Sequence, residues 1–130
     1  MGIDYGDARI GIAATDDFGI LAHPVETIDQ TKGDSIERIA RLVELRNIKT
    51  LVVGLPVRAD GTEGSSAEKV RAFAALVRDR IPTVPLVFVD EFLTTSNAAA
   101  KLREAGRNAK KQKAVIDQAA AVEILNIWMG

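Results

Sequence analysis

The sequence predicts an α/β domain: a mixed central sheet led by an N-terminal antiparallel hairpin, with helices flanking it. Two observations carry that prediction. The chain opens with two short apolar runs, GIDYG and ARIGIAATD, joined at Gly6-Asp7, a strong hairpin signal. Further on, two continuous apolar runs alternate with segments of helical period, the layout of βα units.

Taken in order, the hairpin is followed by a third strand between Ile20 and Ile28. From Asp34, apolar residues recur at Ile36, Ile39, Ala40 and Val43, which is helical spacing, with Asp34 or Ser35 as N-cap. Thr50 to Leu55 is apolar throughout, as in a strand buried on both faces, and Pro56 ends it. A polar, glycine-containing loop from Arg58 to Ser66 leads into a helix through Val70, Phe73, Ala74 and Val77. Pro85 to Val89 forms another buried strand, closed by Asp90-Glu91. A helix over about 94–105, a basic connection and a last helix over about 110–128 complete the chain.

Composition narrows the class. A chain of 130 residues, 47% hydrophobic and 27% charged, is long enough for one core and too apolar for disorder, so one domain is expected over 1–130. The absence of cysteine excludes disulfides and thiolate metal sites and agrees with a reducing compartment. No apolar run approaches the roughly 20 residues of a membrane span, and the basic-then-apolar layout of a secretory signal is missing. A cytoplasmic location without membrane attachment is the expectation. A formal net charge of −1 gives no global attraction to polyanions, so any such binding needs a local patch.

Asp4 is the anomaly, because a carboxylate inside a core strand is costly unless its charge is compensated. Ligands of open α/β sheets bind outside the carboxyl ends of the strands, where Asp4, Asp90 and Glu91 can converge. On the last helix, Asp117 precedes Ala119, Ala120 and Ala121, small residues that let the helix approach the sheet and bring Asp117 to the same place. Crowded carboxylates raise one another's pKa unless a cation neutralises them. With hard oxygen donors and a single histidine in the chain, Mg²⁺ or Mn²⁺ is favoured over zinc. Two such ions about 3.5–4 Å apart hold the attacking and leaving oxygens of a phosphodiester in line. Pattern alone also allows blander readings. Asp4 would cap a turn or pair with Arg9, Glu91 would be a solvated acid after a strand, and Asp117 would sit against the helix dipole. Asp90 reads best as a loop acid and His23 as a turn residue.

One local patch stands out. Lys101, Arg103, Arg107, Lys110, Lys111 and Lys113 face a single acid, Glu104, just before Asp117. That is an electrostatic footprint for phosphates, with Arg9 assigned to the same nucleic-acid role; the alternative is a solvated basic surface. Aromatic residues make up 5% of the chain and none interrupts the cluster, so contacts are expected to phosphates more than to bases.

Four ordered motifs, GIDYGDARIGIA, VVGLPVRADGTEG, VDEFLTT and VIDQAAAVEIL, closely resemble the YqgF/RuvX family over essentially the whole chain. The resemblance implies a ribonuclease H-like fold and a cytoplasmic, divalent-metal-dependent nuclease with Asp4, Glu91 and Asp117 as catalytic and metal-binding residues. It implies a role in pre-16S ribosomal RNA processing or, alternatively, in resolving Holliday junctions; cutting branched DNA would favour a homodimer with two sites on two strands. Two departures bear on substrate preference: Phe92 stands where the family often has Arg, and Val57-Arg58 where it often has Asn. A rival of another class is a non-catalytic nucleic-acid-binding factor in transcription or ribosome assembly. An actin-like ATPase, which the glycine-flanked acidic strand also resembles, would need a second domain to enclose nucleotide.

Overall fold

The computed structural model describes residues 1–16, 18–91 and 109–130, with the side chains of the last helix from residue 115 onward. Five strands form one sheet: β1 (Gly2–Tyr5), β2 (Arg9–Thr15), β3 (Ala22–Asp29), β4 (Leu51–Pro56) and β5 (Leu86–Glu91). Their order across the sheet is β3-β2-β1-β4-β5. The β1–β2 and β2–β3 pairs are antiparallel; β1–β4 and β4–β5 are parallel. The α-helices among the described residues are α1 (Ser35–Arg46), α2 (Ser65–Arg80) and α3 (Ala109–Met129).

Strand alternation sorts the chemistry to the two faces. Ile3, Ile10, Ile12, Leu51, Val53, Leu55 and Leu86 point one way and share a core with Ile39, Leu42 and Val43 of α1 and Val70, Phe73 and Val77 of α2. Each large aliphatic side chain buried there contributes about 1.5–3 kcal/mol. That layer carries enough apolar area for the other face to accept polar groups. The opposite face meets α3 through a smaller cluster of Ala13, Val52, Ala121, Ile124 and Leu125.

Local chemistry sets the ends of α1. Asp34 is its N-cap, accepting hydrogen bonds from the backbone N–H of Ile36 at 3.0 Å and of Glu37 at 3.3 Å. Asn47 closes it in the left-handed region at φ 53°, a conformation asparagine tolerates better than most residues.

Most sequence expectations match within a residue or two. The first hairpin differs: Gly6 to Ala8 connect the strands, so the turn is one residue longer than a two-residue loop at Gly6-Asp7. His23 is an exposed residue within β3 and not a turn residue. Its neighbour Pro24 lies on this edge strand, where a missing N–H is tolerated, and the β2–β3 register slips at Ile12/Ala13 opposite it. The helix expected over about 94–105 lies outside the described residues.

Candidate active site

Asp4 is on the α3 face because Ile3 and Tyr5, its neighbours on β1, turn to the α1/α2 core. Glu91 ends β5 on the same side as Val89, beside Pro56 of β4. Both sit at the carboxyl ends of parallel strands, as ligand sites in such sheets do.

Glycines make room for these acids. Gly11 is the register partner of Asp4 on β2, and a Cβ there would lie 1.9 Å from the backbone oxygen of Asp117. A Cβ on Gly54 would lie 2.7 Å from Glu91 Oε2 and 2.5 Å from Ile124 Cδ1. Any side chain at either position would push α3 or Glu91 away. Ala120 and Ala121 complete the close approach from the helix side, as the Ala119–Ala121 run predicts.

Burial pushes the Asp4 carboxyl up to about 9, and the neighbouring charges of Glu91 and Asp117 and a hydrogen bond with Glu91 act in the same direction. Without a cation the Asp4 carboxyl is therefore held toward its protonated form beside Glu91. Burial also raises Asp117, against the opposing pull of Arg9, whose Nε donates to Asp117 Oδ2 at 2.8 Å. Gln118, one residue on, donates from Nε2 to Thr27 Oγ1 at 3.1 Å and ties α3 to β3.

Two half-buried carboxyls held against each other mark a place where positive charge is wanted. The donors are hard oxygens, which suits a divalent cation of the Mg²⁺ or Mn²⁺ type, and such ions need only one or two carboxylates and keep several waters. Among the described residues, no three acidic or imidazole groups are gathered into a closed cage. Asp117 turned onto Arg9 accounts for that openness.

A stability prediction follows from the sign of the Asp4 shift. A folded-state pKa raised from 3.8 to about 9 means that the folded protein holds a proton the unfolded chain releases, so stability falls as pH rises through that window. In chelator the melting temperature is expected to decline between about pH 4 and pH 9. With Mg²⁺ present the decline should flatten, because a cation then replaces the proton. A thermal melt series with and without chelator checks this, and parallel curves would contradict it.

The structure brings together Asp4 and Glu91, with Asp117 within electrostatic reach. Arg9 pairs with Asp117, not with Asp4. Asp90 is exposed, on the other side of β5 from Glu91. Lys101, Arg103, Arg107 and Phe92 lie outside the described residues. Lys110, Lys111 and Lys113 fall in the first turns of α3, with side chains likewise outside the description. Sequence reading missed the parts played by Gly11, Gly54 and Gln118. A glycine inside a buried strand is the signal for the first two, since it often marks close approach of another backbone.

A five-stranded sheet in this order, with a helix crossing the face that carries the acids, has the ribonuclease H-like fold. Two solved structures of Thermus thermophilus RuvC share the fold. One, in complex with a Holliday junction substrate, superposes with a TM-score of 0.54 at 18% identity over 99% of this chain and 94% of that one. The other gives 0.50 at 18% identity over 98% and 92%. Nucleases of this class generally depend on divalent metal.

The model of the RuvX family, described as Holliday junction resolvase, matches residues 1–130, and the chain belongs to that family. A relative from Nocardioides sp. is 49% identical over 130 residues, covering 96% of this chain and 83% of its own. Another from Mycobacteroides abscessus is 46% identical over 131 residues, covering 99% and 79%. Both are provisionally named pre-16S rRNA nucleases. Among the described residues, no helix is long and apolar enough to cross a membrane.

Proposed function

We propose that this chain is a cytoplasmic, divalent-metal-dependent nuclease, a single domain over 1–130, that trims precursor 16S ribosomal RNA with Asp4, Glu91 and Asp117 at its centre. The observation that carries the reading is the meeting of the Asp4 and Glu91 carboxyls on the α3 face of the sheet, with Asp117 within electrostatic reach. The Asp4 carboxyl gives up its proton when a Mg²⁺ or Mn²⁺ ion is held in its place. When bound, the ion supplies Lewis-acid activation of water and of the phosphodiester.

The chain's own residues do the rest. Asp4 is fixed by the rigid β1 strand and Glu91 by the β4–β5 register, so both oxygens are oriented in advance. Arg9 Nε holds Asp117 by its Oδ2 oxygen. Arg9 and the cations Lys101, Arg103, Arg107, Lys110, Lys111 and Lys113 hold backbone phosphates near an acidic cleft that would otherwise repel them. The Lys110→Ala, Lys111→Ala double variant is expected to flatten the salt dependence of binding by about 0.7 per lost contact on a single strand. An unchanged slope in a filter-binding series would remove the segment from the site.

The family description and the RuvC likeness favour a second reading, resolution of four-way DNA junctions, a task that suits a homodimer with two sites on two strands. Cleavage of end-labelled precursor ribosomal RNA, single-stranded RNA and a synthetic four-way junction, each with Mn²⁺, Mg²⁺ or chelator, separates the two. Metal-dependent cutting of the RNA precursor is expected. Preference for the junction would select the resolvase, and binding without cutting would select a non-catalytic factor.

A further inference from the structure

On the other face of the sheet, directly behind the acids, lies a groove that none of the assigned residues uses. Tyr5 follows Asp4 on β1, and its ring stacks on Phe73 of α2 at 4.5 Å with an interplanar angle of 26°. Two cavities meet at Tyr5 and Lys69. One, of about 160 Å³, is also lined by Gly6, Pro56 and Ser66. The other, of about 290 Å³, is lined by Gln30, Ser35 and Leu76.

Lys69 lines both cavities, and a second cation, Arg58, stands beside the loop that leads to Ser66. Lys69 Nζ lies 3.1 Å from Asp7 Oδ2, with side chains 59% and 71% exposed, and a pair that open to water contributes little. A phosphate can displace Asp7 at small cost. Arg58 lies with its guanidinium across Gly64, two residues before Ser66: a Cβ on Gly64 would come within 2.7 Å of Nη2. Among the described residues this guanidinium has no acidic partner.

We propose that this groove is a second contact for the nucleic-acid backbone, with Lys69 and Arg58 binding phosphates of a single strand as it leaves the carboxylate cleft around the end of β1. The inference rests on the nuclease reading of that cleft. Three acids near the bond to be cut repel a polyanion, so the strand needs cations on both sides of them. Lys69 and Arg58 supply them on the groove side. Asp7 acts as a built-in competitor for Lys69, which gives the proposal a sign that a structural role lacks.

The test is binding of a fluorescent single-stranded RNA to the full chain in chelator, across a salt series, beside a cleavage assay in Mn²⁺. Lys69→Ala and Arg58→Ala are each expected to weaken binding about 3–10-fold and to lower the salt slope by about 0.7. Asp7→Asn is expected to tighten binding. If Lys69 and Asp7 serve only each other, both variants lower the melting temperature alike and neither alters binding, which overturns the proposal. Unchanged affinity in both cation variants while the wild type still cuts overturns the groove and leaves the nuclease standing. A wild type that binds no nucleic acid overturns both.

Discussion

Asp4→Asn is expected to leave a folded protein that no longer cuts in Mg²⁺ or Mn²⁺. Asparagine matches the size of the residue but offers one neutral oxygen where a carboxylate met the cation. The loss should reach about 10³-fold or more in the single-turnover rate, the equivalent of roughly 4 kcal/mol of transition-state stabilisation. Stability should move the other way. The wild-type carboxyl is held up at about 9 by burial and by Glu91, so ionising it is unfavourable in the absence of metal. Asn removes that penalty, and the variant should melt above the wild type in chelator at alkaline pH. Full activity in the variant would remove Asp4 from the site; a collapse of the fold would make its role structural.

Gly11→Ala is the second large effect, and it acts through backbone geometry. The new Cβ would be 1.9 Å from the Asp117 carbonyl oxygen, which is rigid helix backbone and cannot rotate aside. The helix must lift, at a cost of about 1–3 kcal/mol or somewhat more. Lifting α3 carries Asp117 away from Asp4, and a displacement of about 1 Å is enough to cost roughly 10²-fold in rate. The variant should therefore lose both melting temperature and cleavage. Gly33→Ala makes the comparison: with φ at 140° and nothing within 4 Å of a Cβ, it strains its own backbone and leaves cleavage intact. Equal activity in Gly11→Ala would show that the close approach of α3 does not position the site.

The fold was legible where local pattern and tertiary burial agree. β4 read as a strand buried on both faces because both faces are covered, α1 and α2 on one side and α3 on the other. Asp4 was legible as an anomaly for the same reason, since only a strand with no solvent face makes a carboxylate conspicuous. The alanines after Asp117 announced a close-packed helix. Pairwise contacts were not legible: nothing in the order of residues says that Arg9 will reach Asp117, 108 positions away, in preference to Asp4 nearby. Gly11 and Gly54 carried only the general signal of a glycine inside a strand, which does not say what approaches; here it is α3.

Pairing Asp117 with Arg9 also has a mechanistic use. A half-buried carboxylate with no partner would be raised further by burial; the guanidinium opposes that and keeps Asp117 nearer to its charged form. Asp4, by contrast, is pushed toward its protonated form until a cation offsets the burial and the charge of Glu91.

The most direct measurement is a calorimetric titration of Mn²⁺ into the wild type at pH 7.5, repeated in buffers of different ionisation enthalpy so that proton release is counted. Binding with release of about one proton is expected, because the ion displaces the one that the raised Asp4 carboxyl holds, and in Asp4→Asn both the release and most of the affinity should vanish. Binding of equal strength in the two proteins, with no proton released by either, would contradict the assignment of these carboxylates as the metal centre.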